Sequence, residues 1–339
     1  MIFPLDIYLV AFLSSGVTTM LCLPWWRRWC QRTGLLDDPG HRKIHEAPVA
    51  LAGGLAVMTG LLLPMLGGAL ALMAGGHFVE GTSGFPMILD AGTVHLLGYG
   101  FNRRSLQLAA ILLGALAMVF LGWLDDKHEL SAAVKFGGQI LIAGLVAAAG
   151  VRITLFVNNL FFSYAITIFW ILTVINAFNF MDNMNGLCAG LGAISAGLFA
   201  FSAAVHGQYL VALLALLSCG ALLGFLPYNF PKATAFLGDS GSHLIGFLLA
   251  VLAILPHFYS KDNPNVLAVF SPLLILALPL GDLVWVVILR WRLGQPFYVG
   301  DNNHLSHRLI RKGFNRTQAV LIIWLLAAAA GALCFLPGL

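Results

Sequence analysis

Apolar runs long enough to cross a bilayer recur along nearly the whole chain, and no other feature limits the possible folds so tightly. In hydrocarbon every backbone N–H and C=O must be satisfied internally, so a run of about 20 apolar residues reads as a spanning helix. Eight runs meet that standard: Ile7 to Trp26, Val49 to Ala74, Leu108 to Leu124, Ala132 to Val151, Gly186 to Val205, Tyr209 to Leu226, Leu267 to Leu289 and Ala319 to Leu336. Two shorter ones, Leu160 to Ile175 and Ser242 to Phe258, are bounded by polar clusters. The expected fold is an all-α, polytopic transmembrane helix bundle of about ten spans, with residues 1–339 forming one integral membrane domain. Composition agrees, since the 339 residues are 60% apolar and 9% charged, against roughly 25% charged in a soluble domain.

No basic residue precedes the first run, and Arg27 and Arg28 follow it, so it is expected to stay in the membrane rather than be cleaved. Cys22, Cys30, Cys188, Cys219 and Cys334 lie within or beside apolar segments with no C-x-x-C pair, which points to packing rather than disulfides or metal ligation. A net charge of +4 suits anionic lipid headgroups and gives no ground for a nucleic-acid partner.

With ten spans the connections alternate sides. Every Lys and Arg except Arg103, Arg104, Arg152 and Lys261 then falls on one side, fourteen of eighteen. The positive-inside rule makes that side cytosolic and puts both termini outside. Carboxylates contribute little to topology, yet Asp37, Asp38, Glu46, Asp125, Asp126, Glu129, Asp182, Asp239 and Asp301 gather in the same loops. Acids and bases therefore meet at one membrane face, as an enzyme-like site would require. The longest outside connection, Gly75 to Ser105, is Gly-rich with room for a short interfacial segment.

Four polar segments carry this chemistry. GWLDDKHELS sets Asp125 and Asp126 after an apolar helix, where adjacent carboxylates oppose the helix dipole and call for a compensating cation; the alternative is a solvated loop. In NAFNFMDNMNG, Asn176, Asn179, Asp182 and Asn185 would form one polar stripe if helical, facing either a ligand or a neighbouring helix. In FLGDSGSH, small residues flank Asp239, so either the helix N-terminus admits a phosphate or Asp239 is a plain N-cap. In GDNNHLSHRLIRK, helical spacing gives His304, His307, Arg308 and Arg311 one face, fit for a phosphate group or for a membrane-surface helix. Zinc at H-x-x-H ranks low without a Glu or Cys partner. Near the N-terminus Arg42, Lys43 and His45 precede Gly53 and Gly54, a placement that basic residues usually owe to topology.

Taken in this order, from about Asp37 to Val320, the segments resemble the superfamily of polyprenyl-phosphate N-acetylhexosamine-1-phosphate transferases (glycosyltransferase family 4). The resemblance implies that Asp125 and Asp126 are the paired aspartates, Lys135 and Gln139 the K-x-x-x-Q that follows, and Asn179 and Asp182 the N-x-x-D. By the same resemblance Asp239 is the Mg2+ aspartate of G-D-[ST]-G and Phe236 an aromatic at the uridine. His304 and His307 are the outer histidines of H-x-H-H, and Asp282 is an aspartate late in the ninth helix. Two positions depart from the pattern. Asn185 replaces a carboxylate tied to nucleotide recognition, although an amide still hydrogen-bonds uracil or ribose, and Ser306 replaces the middle histidine.

The implied reaction moves N-acetylhexosamine-1-phosphate, by preference N-acetylglucosamine-1-phosphate, from a UDP-sugar to polyprenyl (undecaprenyl) phosphate and releases UMP. Mg2+, with Mn2+ as a substitute, is expected at Asp239 and Asp182. Asp125 would orient or deprotonate the lipid phosphate, and Asp126 would help hold the metal or lysines. Lys43, Lys135, Asn179, Asn185, Phe236 and Arg308 would bind substrate. Direct attack by the lipid phosphate is preferred over an aspartyl-phosphate on Asp182. The competing readings are a phospho-MurNAc-pentapeptide translocase, whose final loop usually has three consecutive histidines, and a secondary transporter, whose ionisable residues belong near the midplane. The oligomeric state, homodimer included, is open, and the Asn315 sequon is expected in the cytosol.

Overall fold

The computed structural model describes residues 5–38, 47–78, 91–155, 157–256, 266–296 and 303–336, and these form a helical bundle. The helices in chain order are α1 (Leu5–Thr33), α2 (Gly53–Phe78), α3 (Ala91–His128), α4 (Ala132–Ala148), α5 (Leu160–Met181), α6 (Leu187–Val205) and α7 (Tyr209–Asn229). There follow α8 (Gly238–Ile254), α9 (Ser271–Ile275), α10 (Ala277–Arg292), α11 (Leu305–Arg311) and α12 (Arg316–Ala332). Seven of them are long and apolar enough to cross a membrane, α4 and α8 are shorter apolar helices, and α9–α10 form a bent pair. Large apolar side chains face outward, Phe161 and Leu325 among them. That surface is stable only in lipid, so this is a polytopic membrane protein.

At the centre lies α8, buried along nearly its whole length and packed against α3 and α5. Glycines permit the close approach. A Cβ on Gly122 of α3 would stand 2.4 Å from the carbonyl oxygen of Asp239, so only glycine lets α3 touch the start of α8.

Two segments differ from the sequence expectation. The expected single run Leu267 to Leu289 is broken, with α9 and α10 meeting at 69°. Pro279 has no N–H to offer the carbonyl of Ile275, which instead accepts a hydrogen bond from Ser195 Oγ at 3.4 Å. The part of the Gly75 to Ser105 connection from Ala91 onward is helical and continuous with α3 except for a break at Arg104 (φ −114°, ψ 15°). The five cysteines are free, three of them buried.

A short antiparallel hairpin, β1 (Leu36–Asp37) with β2 (Val49–Ala50), follows α1. Ala50 also bridges Ala235, and Phe236 N–H donates to the Ala50 carbonyl at 2.9 Å. The hairpin thereby ties the N-terminal loop to the approach of α8.

Candidate active site

Asp125 and Asp126 occupy the last turn of α3, as expected, and each finds a different compensation. Asp125, buried, pairs with Lys135 Nζ of α4 at 2.5 Å and accepts the Leu130 N–H at 2.9 Å. Asp126 accepts two backbone N–H groups from the first turn of α8, Asp239 at 2.7 Å and Ser240 at 3.1 Å. A carboxylate at the C-terminal end of one helix thus caps the N-terminal end of another, where its negative charge suits the α8 dipole. Gly238 (φ +72°) makes room, since a Cβ there would stand 2.7 Å from Asp126 Oδ2.

This arrangement corrects two expectations. Asp239 is not the N-cap of α8, a position held by Leu237, because the cap comes from Asp126. The amides of Asp239 and Ser240 are already engaged and are not offered to a phosphate. Lys135 pairs with Asp125. Relieved of capping, the Asp239 carboxylate accepts Asn179 Nδ2 at 2.6 Å and lies 4.0 Å from Lys135.

The polar stripe on α5 is partly realised. Asn176 donates to Gln139 at 2.9 Å, and Asn179 reaches Asp239 and Ser242. The helix ends at Met181 with Asp182 as its C-cap, so Asn185 leaves the stripe and donates to the Pro231 carbonyl at 3.2 Å. Asp182 is reachable by solvent yet ringed by protein. Burial pushes its carboxyl up to about 8, and the charges of Asp239, Asp126 and Asp37 push the same way. Water contact weakens the burial cause; the like charges stand regardless.

Sequence reasoning missed Asn229. Buried at the end of α7, it accepts the Gly186 N–H at 2.6 Å and donates to the Ala235 carbonyl at 2.9 Å, clamping the Asp182 turn to the approach of α8. A lone Asn before Phe-Pro carries no motif that reveals this. His243 of α8, buried 3.5 Å from Gln139, was also not singled out.

The final loop docks against the same turn. His304 is the non-helical residue before α11 (ψ 153°), so it does not share a helix face with His307, Arg308 and Arg311 as expected. Its Nδ1 meets buried Asp282 of α10 at 2.6 Å, and the other Asp282 oxygen accepts the Leu305 N–H at 2.6 Å. A carboxylate only accepts, so Nδ1 carries the proton and Nε2 is the nitrogen left for a ligand. The His304 ring lies 5.7 Å from Phe180 and 6.3 Å from His307. Ser306, where the family pattern has histidine, donates to Asn183 at 2.7 Å and anchors α11 beside Asp182. The Arg308 guanidinium lies on Trp285, 4.6 Å from the ring centre. Phe236 is half-buried in the strand-like approach to α8. Lys43 and Asp301 lie outside the described residues, as do Arg42 and His45. Asn315 caps α12 in a capping box with Gln318.

Among the described residues no three His, Cys, Asp or Glu side chains form a ready metal cage. What the site offers is one lysine beside an excess of carboxylate, at the ends of α3, α4, α5 and α8.

Comparison with known proteins gives a consistent result. The family model for glycosyl transferase family 4 matches residues 108–257. A Bacillus subtilis protein described as a probable undecaprenyl-phosphate N-acetylglucosaminyl 1-phosphate transferase is 30% identical, over 94% of this chain and 81% of the relative. The decaprenyl-phosphate N-acetylglucosaminephosphotransferase of Mycobacterium tuberculosis is 31% identical, over 94% and 77%. An Escherichia coli O157:H7 undecaprenyl-phosphate alpha-N-acetylglucosaminyl 1-phosphate transferase is 28% identical, over 93% and 80%.

Proposed function

Because this chain belongs to glycosyl transferase family 4, among the polyprenyl-phosphate N-acetylglucosamine-1-phosphate transferases, we propose that it transfers N-acetylglucosamine-1-phosphate from UDP-N-acetylglucosamine to a polyprenyl phosphate. UMP leaves, and the lipid-linked sugar starts a cell-envelope glycan. The observation that carries the reading is the Asp125–Lys135–Asp239 array, with Asp126 fixing the helix end that bears Asp239.

Two phosphates must meet, so positioning and charge neutralisation are the main tasks. Lys135, held by Asp125, supplies a fixed positive charge for the lipid phosphate. A phosphate monoester is largely ionised at neutral pH, with a second pKa of about 6, so Asp125 acts by placing Lys135 and the acceptor rather than as an obligatory base. An oxygen of the lipid phosphate attacks the phosphorus joined to the sugar, a P–O bond forms, the P–O bond to UMP breaks, and the electron pair leaves with UMP. His304, oriented by Asp282, faces the substrate through Nε2, with His307 and Arg308 beside it. Asn179, Asn185 and Phe236 contact the nucleotide sugar, a role also assigned by the family resemblance to Lys43, which lies outside the described residues.

Asp239 and Asp182 are the residues we assign to Mg2+, with Mn2+ as a substitute. The fit rests on charge: like-charge repulsion between them goes unanswered by Lys135, whose closer partner is Asp125, and two carboxylates are what Mg2+ usually takes from a protein. When bound, the ion neutralises charge on the transferring phosphoryl group.

We read ten spans, made of the seven long helices, the bent pair, α4 and α8. Both termini then lie outside, and the positive-inside rule puts the site in the cytosol. In that order α3 and α5 end, and α4 and α8 begin, on one side.

The test is UMP release from UDP-N-acetylglucosamine by purified protein with and without polyprenyl phosphate. Release is expected only with the lipid and Mg2+ present. Release without acceptor, or release only from UDP-MurNAc-pentapeptide, would overturn the reading. Asp239→Ala is expected to abolish activity; normal transfer with unchanged Mg2+ dependence would remove the metal assignment.

A further inference from the structure

At the opposite ends of α3 and α8 from the aspartates lies a cavity of about 420 Å³, a volume in the range of small-ligand pockets. Arg103 and Arg104 line it from α3, Arg152 from the connection after α4, and Ile254 and Leu255 from the end of α8. Helix rise puts Arg104 about 30 Å from Asp125 along α3, and Leu255 about 24 Å from Asp239 along α8. The cavity and the transferase site are thus separated by about one hydrocarbon thickness.

Positive charge at this end runs against the bias that the other basic residues follow. Arg103, Arg104, Arg152 and Lys261 are the four exceptions in the chain; three line this cavity, and Lys261 lies outside the described residues. Among the described residues no carboxylate lines the cavity and none pairs with the three arginines. Arg103 donates to the Tyr99 hydroxyl at 2.9 Å and Arg104 to Gln107 at 3.4 Å, while Arg152 lies over the Tyr164 ring at 5.7 Å. These neutral contacts orient the guanidinium groups without cancelling their charge. The backbone also leaves helical geometry at Arg104 itself. Leu106, another lining residue, is 69% exposed, so the cavity opens beside lipid-facing surface.

Three like charges lining one cavity, with no counter-charge among the described residues, favour an anion, and the planar guanidinium fork matches phosphate oxygens. We propose that this cavity binds a phosphate group of net negative charge, with no cation of its own beside it, carried by an anionic membrane lipid or free in solution, on the side opposite the transferase site. The inference rests on α3 and α8 spanning the membrane and not on the transferase chemistry.

Binding to the purified full-length protein would be measured by native mass spectrometry and thermal melting, with phosphatidylglycerol, phosphatidylcholine and inorganic phosphate as separate probes. Wild type would be compared with Arg103→Gln/Arg152→Gln, both exposed positions, and with the charge-keeping Arg103→Lys/Arg152→Lys. Wild type is expected to prefer phosphatidylglycerol over phosphatidylcholine by about tenfold, and the Gln pair to lose that preference with UMP release retained. The Lys pair should fall between them, because it keeps charge and loses the fork. Phosphatidylglycerol binding unaffected by inorganic phosphate identifies a lipid-borne group; stabilisation by inorganic phosphate, lost in the Gln pair, identifies a free one. Equal binding of the two lipids by wild type, with no stabilisation by phosphate, overturns the proposal whether or not the variants purify. Equal anion binding by wild type and the Gln pair overturns it too.

Discussion

Asp126→Ala separates a residue that builds the site from one that works in it. In the folded protein the Asp126 carboxylate accepts the Asp239 and Ser240 N–H groups at 2.7 and 3.1 Å, and Ser240 is fully buried. Alanine leaves two donors at the start of the central helix without an acceptor. Hydrogen bonds to a charged group contribute about 1.5–3 kcal/mol each, and losing a helix cap alone costs up to about 2 kcal/mol. A loss of about 3–4 kcal/mol is expected, lowering the melting temperature by about 6–16 °C at roughly 2–4 °C per kcal/mol. Asp126→Asn keeps one acceptor oxygen and turns an amide donor toward the second N–H, so about half that loss should follow. Asp239→Ala is the control. Among the described residues its carboxylate accepts a side-chain amide, from Asn179, borders Lys135 at 4.0 Å and meets the like-charged Asp125, so this variant should melt near wild type and be inactive. The assay is thermal melting of purified protein in detergent, with UMP release measured in parallel. If Asp126→Ala melts within about 1 °C of wild type while Asp239→Ala loses several degrees, the capping argument is wrong.

Gly122→Ala would drive a methyl to 2.4 Å from backbone atoms of Asp239 and Ser240; overpacking of this kind costs about 1–3 kcal/mol, and activity should fall with the melting temperature. Ser306→His, which restores the family histidine, is expected to destabilise by a similar amount, because Ser306 is buried and bonded to Asn183; a more active and equally stable variant would refute that. For Asp182 the like charges of Asp239, Asp126 and Asp37 hold the carboxyl above the range near 4 of the unfolded chain. Metal-free protein should therefore lose stability as pH rises from about 4 until that carboxyl is ionised and then level off, while stabilisation by Mg2+ grows over the same range. Asp182→Asn should flatten that slope, and a slope that survives the substitution would count against the assignment.

The relation between chain and site differs from residue to residue. Apolar run length announced the membrane helices, because the hydrocarbon's demand for internal hydrogen bonds acts on each segment separately. The pairing of Lys135 with Asp125 was legible as motif company, though not as a contact. The break at Leu276 was not legible, since a proline in an apolar run permits either a kink or a full break, and the acceptor it frees meets Ser195 of another helix. The identity of the α8 cap was equally hidden. G-D-S-G read in isolation makes Asp239 a plausible N-cap, and only the approach of α3, allowed by Gly122, substitutes Asp126.

By itself the sequence determined that this chain lives in a bilayer and which family its motifs resemble, because run length and motif order are local properties. The division of labour among the four aspartates was decided by tertiary structure alone. Which of them neutralises a lysine, which closes a helix end and how they repel one another depends on how helices distant in sequence meet, and electrostatics acts over those distances rather than along the chain.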